Sequence, residues 1–143
     1  MNQHFFNQKY TVSFSDFCIK KYKKDFLKKY KKRLWDKTEE SIIESLERLV
    51  NLEKTDVLDV ICDTNTKKIF AKYSFKIAKS NIPPKISGNR CVLEVCNNKR
   101  CVKILFIYNK DKHIPNKKKN ETNWWKEVIS NEFDIHCLKY FET

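Results

Sequence analysis

Basic side chains recur along three stretches between residues 69 and 112 that are typical of consecutive β-strands. In residues 69–78, apolar and polar side chains alternate, as in a strand with one buried face. We expect the apolar set to face the core: Tyr73, Phe75 and Ile77. The opposite set is Lys72, Ser74 and Lys76, and we expect its lysines to face solvent. Cations grouped on one face or rim of a sheet are suited to phosphate binding, because they offset its negative charge.

The next two predicted strands form a hairpin that adds further basic residues. Residues 89–96 and 101–108 are apolar runs joined by the connection NNKR, in which we expect an asparagine to take the positive φ of a tight turn. The simplest alternative for Arg90 and Lys76 is that both are exposed strand residues, with Glu94 as ion-pair partner of either.

Composition limits the classes of protein that this chain can represent. Its 143 residues, 41% of them hydrophobic, predict a single domain over residues 1–143. A net charge of +12 predicts attraction to polyanions, with nucleic acid and ribosomal RNA ahead of anionic membrane. The only glycine is Gly88, which excludes glycine-rich phosphate loops and dinucleotide-binding folds.

The sequence predicts a cytoplasmic protein without a metal site. No apolar run approaches the roughly 20 residues that span a bilayer, and the first ten residues lack the order of a secretory signal. The six cysteines form no C-x-x-C unit and are expected to be reduced core residues. They are Cys18, Cys62, Cys91, Cys96, Cys101 and Cys137. A zinc site would have to draw on Cys96, Cys101, His113, His136 or Cys137, whose spacing matches no known zinc motif.

Two helices are predicted ahead of the three strands. After a short strand at residues 10–14, Ser15 or Asp16 can cap a helix whose buried stripe is Ile19, Tyr22, Phe26 and Tyr30. The rest of that helix is rich in lysine, and its exposed face is either an anion-binding surface or simply solvated. Asp36 or Thr38 is predicted to open the second helix, with the buried stripe Ile42, Leu46, Leu49 and Val50. Together the two helices make an antiparallel hairpin.

The remaining stretches are less regular. Residues 51–68 can hold an extra strand, and residues 111–119 are predicted to form a loop. Asn120 can cap a final helix whose apolar residues, Trp124, Trp125, Val128 and Ile129, are expected in the core rather than as base-stacking platforms. Residues 133–143 give no readable pattern.

The order of these elements resembles the RelE/ParE toxin superfamily. Three local matches carry the resemblance over about residues 10–130. YSFKI at 73–77 is similar to the family's strand with a tyrosine and alternate lysines, and GNRCVL at 88–93 is similar to its G-x-R-h-h-Y stretch, where h is apolar. ILFIYNK at 104–110 is similar to the strand that ends in a basic catalytic rim. The resemblance implies an α+β fold, with a helical hairpin packed on a small curved antiparallel sheet of about four strands and a C-terminal helix.

The same resemblance implies a toxin of a type II toxin–antitoxin system: a ribosome-dependent endoribonuclease that cuts mRNA, contacts ribosomal RNA and is inhibited by an acidic antitoxin. Such cleavage needs no metal or cofactor, but it requires a base, an acid and cations that stabilise the transition state. The implied catalytic residues are Lys76 and Arg90 as phosphate or transition-state contacts, Lys110 or Lys112 as a further cation, and Tyr108 or His113 as the acid or base. The implied RNA-binding residues are Lys72, Arg100, Lys103, Lys20, Lys24 and Lys28.

Two other functions fit the same fold. One is inhibition of gyrase without RNA cleavage, and the other is RNA binding without catalysis. The basic rim favours cleavage over gyrase inhibition. A pure binding module more often exposes aromatic residues on its strands, whereas Tyr73 and Phe75 are predicted on the core side.

Overall fold

The structure, a computed structural model, describes residues 5–63, 68–114, 120–134 and 139–140. Its strands are β1 Thr11–Phe14, β2 Leu58–Asp63, β3 Lys68–Ser74, β4 Asn89–Cys96, β5 Cys101–Asn109 and β6 Lys139–Tyr140. Its α-helices are α1 Lys23–Lys29, α2 Lys32–Glu47, α3 Pro84–Ser87, α4 Lys110–His113 and α5 Glu121–Phe133. Within these residues the strands form one sheet in the order β1-β5-β4-β3-β2-β6. The predicted α+β class, with a hairpin of α1 and α2 and a C-terminal helix, is confirmed.

The sheet is larger than predicted and is not wholly antiparallel. In the described part of the chain, five strands have four or more residues, and the two-residue β6 pairs with β2. The extra strand allowed between residues 51 and 68 is β2. Strand β1 runs parallel to β5, with Thr11 opposite Cys101 and Phe14 opposite Ile104. Parallel pairing requires a long crossover connection, and the chain between β1 and β5 contains the helical hairpin and three strands.

The helical hairpin covers one face of the sheet, as predicted. The rings of Phe26 and Trp35 lie 6.0 and 6.3 Å from the ring of Phe75. Tyr73 and Ile77 are buried on the same side as Phe75, which confirms the predicted core set.

Helix α5 covers the opposite face of the sheet at Lys72, so the prediction that this lysine meets solvent is wrong, whereas Lys76 is exposed as predicted. The Trp124 ring lies 4.9 Å from the Tyr108 ring and 5.8 Å from the Phe106 ring. Lys72 is half-buried and Ser74 is buried. Strand alternation correctly assigned these residues to one face, but alternation along β3 carries no information about what a distant helix covers.

The first helix departs from the predicted 3.6-residue stripe at its start. A π-helical turn, Cys18–Tyr22, leads into α1 and places Cys18 in the core, whereas Ile19 is 45% exposed. Because a π-turn adds a residue to the turn, it changes which side chain faces inward. Tyr22 and Phe26 are buried as predicted, but α1 ends at Lys29 and Tyr30 is extended.

The second helix begins earlier than predicted, at Lys32 rather than at Asp36 or Thr38. The extended backbone at Tyr30 and Lys31 reverses the chain, and Trp35 then packs on Phe26 with ring centroids 4.9 Å apart. Aromatic packing of this kind stabilises a helix start that has no side-chain cap.

Two loops also differ from the sequence prediction. The turn between β4 and β5 takes its positive φ at Arg100 (50°) rather than at an asparagine, because a 3₁₀ turn, Asn97–Lys99, comes first. Lys110 to His113 form the short helix α4 instead of a loop, and the Asn109 side chain caps it by accepting a hydrogen bond from the Asp111 N–H. The rest of that predicted loop, residues 115–119, lies outside the described residues.

The predicted C-terminal helix is confirmed as α5. The Asn120 side chain accepts a hydrogen bond of 2.8 Å from the Asn123 N–H, which is the expected cap. Trp124, Trp125 and Ile129 are buried. Cys18 and Cys91 are buried core thiols, and Cys96 and Cys101 are half-buried. No helix among the described residues is long and apolar enough to cross a membrane.

Thr38 ties the hairpin to the chain that follows β3, and we predict that its hydroxyl contributes measurably to stability. The buried Oγ1 donates to the Leu34 carbonyl and accepts from the Ala78 N–H, each at 2.9 Å. Thr38→Val keeps the shape but leaves that N–H unpaired, so the free energy of unfolding should fall by about 1–3 kcal/mol. Urea denaturation followed by tryptophan fluorescence measures it. The exposed Thr122→Val is the matched control, and equal losses in both variants would contradict this role.

Candidate functional site

Three of the predicted site residues converge on one carboxylate, that of Glu121 at the start of α5. The Tyr108 hydroxyl donates a 2.6 Å hydrogen bond to Glu121 Oε2. Lys72 Nζ and Arg90 Nε lie 3.7 and 3.9 Å from the same oxygen. The sheet register explains the convergence, because Arg90 pairs directly with Tyr108 and Lys72 lies on the same face. Lys72, Arg90 and Tyr108 thus surround one carboxylate, and we call these three residues together with Glu121 the anion-binding cluster.

Glu121 owes its position to the local sequence of α5. Asn120 caps the helix, so Glu121 falls in the first turn, where the helix dipole favours a negative charge. Trp124, one turn later, packs on Phe106 and Tyr108 and fixes the helix against the sheet. The residue that sequence reasoning missed is therefore Glu121. The Asn120 cap predicts that Glu121 lies in the first turn of a helix. An acid in the first turn is common, however, and does not identify the surface on which the helix docks.

Backbone carbonyls hold the Arg90 guanidinium in place. One terminal nitrogen donates to the carbonyls of Pro84 and Asn89 at 3.2 and 3.0 Å, and the other donates to the Lys85 carbonyl at 2.9 Å. Arg90 is only 4% exposed, and its Nε has no hydrogen-bond acceptor among the described residues. The nearby acid is Glu121, not Glu94 as expected. Glu94 lies 3.5 Å from Lys68, its diagonal neighbour on β3.

Tyr108 is fixed as a hydrogen-bond donor. Burial raises the pKa of its hydroxyl far above the usual range, and the Glu121 carboxylate raises this pKa further. A tyrosine in this state keeps its proton at neutral pH, so its hydroxyl acts as a hydrogen-bond donor and not as a base.

The other predicted catalytic residues lie at the end of the sheet where β3 and β5 finish and β4 begins. Lys76, Lys110 and Lys112 are exposed there. Lys76 Nζ lies 3.4 Å from the Ser80 carbonyl oxygen. In the described part of the chain, no carboxylate lies within ion-pair distance of these three ammonium groups. The structure therefore separates the predicted catalytic set into a buried cluster and an exposed basic rim.

Both ring nitrogens of His113 are engaged. Nδ1 accepts a 2.8 Å hydrogen bond from the Asn109 N–H, so Nε2 carries the proton in the neutral ring and faces Asp25 Oδ2 at 3.0 Å. The ring stacks on Phe26. Burial lowers the pKa of His113, against the opposing effect of Asp25. These contacts make His113 a neutral link between α1 and the end of β5.

The predicted RNA-binding residues lie on separate surfaces. Lys20, Lys24 and Lys28 are exposed on the first helical segment, and Lys103 is exposed on β5. Arg100 lies at the opposite end of β5 from the basic rim, where its guanidinium packs 4.1 Å from the Phe6 ring centre and donates to Gln8. The structure does not bring these residues together into one surface with the anion-binding cluster.

A cleft that sequence reasoning missed opens beside the basic rim, on the side of the sheet covered by the helical hairpin. Its larger part has a volume of about 470 Å³. A smaller part, bounded by Asp25 and His113, adjoins it and shares four of its lining residues. Those residues are Lys29, Tyr30, Asn89 and Asn109. Within the described residues, no group of three or more His, Cys, Asp or Glu side chains is placed to hold a metal ion. The zinc candidates His136 and Cys137 lie outside that part.

Comparison of the sequence with known protein families and with characterised proteins finds no match. Among solved structures, the chain is similar to the crystal structure of an archaeal RelE–RelB complex from Pyrococcus horikoshii OT3. The match covers 73% of this chain and 99% of that chain, with 13% sequence identity and a TM-score of 0.46.

The lowered pKa of His113 predicts that acid destabilises the protein through this residue. The unfolded chain, with a histidine pKa near 6.5, binds the proton more readily than the folded chain. Stability is therefore lost as the pH falls through that value towards the lower folded pKa. Between about pH 7.5 and pH 5.5, unfolding free energies from urea titrations should fall more steeply for the wild type than for His113→Phe, which keeps the aromatic stack. Parallel slopes for the two proteins would contradict a buried, neutral His113.

Proposed function

We propose that this protein is a toxin of a type II toxin–antitoxin system, and that it cleaves mRNA at the anion-binding cluster once α5 moves away. The observation that carries the proposal is the convergence of Lys72, Arg90 and Tyr108 on one negatively charged group. A carboxylate and a phosphate both present anionic oxygens to cations and hydroxyl donors. Glu121 thus occupies the position that suits an RNA phosphate.

The cluster has groups for two of the roles that metal-independent RNA cleavage needs. Arg90 and Lys72 can offset the charge that develops on the phosphorus-bound oxygens. Tyr108 can protonate the leaving 5′-oxygen, while water takes the proton of the attacking 2′-hydroxyl. The exposed basic rim of Lys76, Lys110 and Lys112 lies at the same end of β4 as Arg90 and can bind neighbouring phosphates of the strand.

An inhibitory partner follows from the same charges. An acidic antitoxin segment can neutralise the basic rim and the lysines of the first helix. Such a complex should weaken with rising salt, because exposed charges at a rim are screened.

We predict that Glu121→Gln increases RNA cleavage. The substitution removes charge-assisted contacts that hold α5 closed, worth about 1.5–3 kcal/mol. The open fraction, and with it the cleavage rate, should rise about tenfold or more. The measurement is primer extension on a reporter mRNA in a cell-free translation reaction, with a parallel reaction that lacks ribosomes. Cuts at codon positions that require ribosomes are the expected result.

The matched control is Glu132→Gln, which makes the same charge change at an exposed position of the same helix. It should leave cleavage at the wild-type rate. Adding Lys72→Met to Glu121→Gln should reduce the cuts again, with circular dichroism confirming that both proteins are folded. Intact mRNA with the wild type and with folded Glu121→Gln would contradict the proposal.

A second candidate function is RNA binding without cleavage, favoured by the exposed lysines of the first helix. Lys20, Lys24 and Lys28 are open to solvent, whereas the anion-binding cluster is covered. This function predicts that RNA is retained but not cut, and that Lys20→Gln with Lys24→Gln weakens retention. The same cell-free reaction, combined with a binding assay on the purified protein, separates the two candidates.

A further inference from the structure

We propose that the cleft beside the basic rim binds one nucleoside phosphate, as a unit of a single-stranded nucleic acid. This site lies on the hairpin side of the sheet. It is distinct from the anion-binding cluster under α5, and its occupation requires no movement of that helix.

The size and openness of the cleft suit a single nucleotide. Its larger part, about 470 Å³, falls within the range of small-ligand sites, about 300–1,000 Å³. The turn between α1 and α2 forms one wall, and the chain after β3 forms the other. A ligand can enter without displacing any described element.

The walls combine cations with a flat apolar surface. Lys29 and Lys79 line the larger part, and Lys112 lines the smaller part. None of the three ammonium groups has a carboxylate within ion-pair distance among the described residues. The half-buried Tyr30 ring lines both parts of the cleft, and Lys29 Nζ lies 5.5 Å from its centre. Ile82, which is 52% exposed, lies on the other wall. Phosphate on lysine and a base on an aromatic ring is the usual combination by which proteins bind single strands.

The floor of the cleft carries a polar group with unused donors. Asn89 is only 3% exposed, yet it lines both parts of the cleft. Its Oδ1 accepts a 2.9 Å hydrogen bond from Asn109 Nδ2, so its own amide nitrogen is free to donate. No described group accepts from that nitrogen. A buried amide held in a fixed orientation, with donors left over, is suited to the carbonyl oxygen or ring nitrogen of a base.

The backbone at Lys79 is also unusual. Its φ is 66°, a left-handed conformation that a lysine rarely adopts. The surrounding chain maintains it, since the Ala78 N–H bonds to Thr38 and the Ser80 N–H bonds to the Ile77 carbonyl. This conformation places Lys79 on the wall of the cleft, and departures of this kind occur preferentially at binding sites.

The test is fluorescence anisotropy with a labelled six-nucleotide single-stranded RNA and the full chain. Tyr30→Leu keeps the packing but removes the ring, and should weaken binding about tenfold. Lys79→Asn suits the left-handed backbone, so it should not unfold the protein. It should reduce the slope of log affinity against log salt by about 0.7. Lys99→Asn removes the same charge at the opposite end of the sheet and should leave both quantities unchanged. The side-chain amide resonances of Asn89 should shift on titration with the RNA.

The same measurements distinguish the proposed site from a cleft that binds no RNA, a peptide or a free nucleotide. Equal binding by Tyr30→Leu, Lys79→Asn and wild type would overturn the site. Full displacement of the RNA by a phosphate-free acidic peptide, with the same sensitivity to both variants, would also overturn it and would assign the cleft to a peptide. Competition by a nucleoside monophosphate would support the site and identify the free nucleotide as a sufficient ligand. Because these measurements involve no cleavage, their outcome is independent of the reaction proposed under α5.

Discussion

The buried guanidinium of Arg90 is the constraint on which the neighbouring structure depends. A charge removed from water costs several kcal/mol unless hydrogen bonds and an opposite charge compensate it. Here the carbonyls of Pro84, Lys85 and Asn89 accept its hydrogen bonds, and Glu121 supplies the opposite charge. Those carbonyls converge because α3 ends at Gly88 with φ of 79°, where a side chain would meet Asn109 and Lys110 at 3.3 Å. The burial of this one cation therefore depends on a short helix, on a glycine and on the docking of α5.

The elements of this fold that follow from local sequence were predictable, and those that depend on distant contacts were not. Alternation around Phe75 identified a strand and its core face, because the pattern is fixed by backbone geometry alone. The cap at Asn120 identified the start of α5 for the same reason. The π-turn that buries Cys18 and exposes Ile19 packs against β5, and the spacing of apolar residues in the sequence does not predict it. The parallel pairing of β1 was equally hidden, since it joins segments at opposite ends of the chain.

The candidate sites show the same division. Arg90 and Tyr108 were assigned to one site by the family resemblance, and a bulge between Val92 and Leu93 brings them opposite each other in the hairpin. Glu121 could not be identified as their partner, since the sequence around it does not indicate which surface of the sheet its helix covers. The cleft was missed for a related reason. Tyr30 was read as part of a helical stripe, whereas the helix ends one residue earlier and leaves the ring at the edge of the hairpin.

The pairing of β1 with β5 has a consequence for how the chain folds as it is synthesised. The first strand emerges from the ribosome with its helices long before the strand that will become its neighbour. Until then, the side chains that pack on β5, such as Tyr22 against Phe106, have no partner strand. Contacts between such distant segments slow folding and leave apolar surface open in the meantime. We therefore expect chaperones to bind the nascent chain. A chain truncated within β5 should be prone to aggregation.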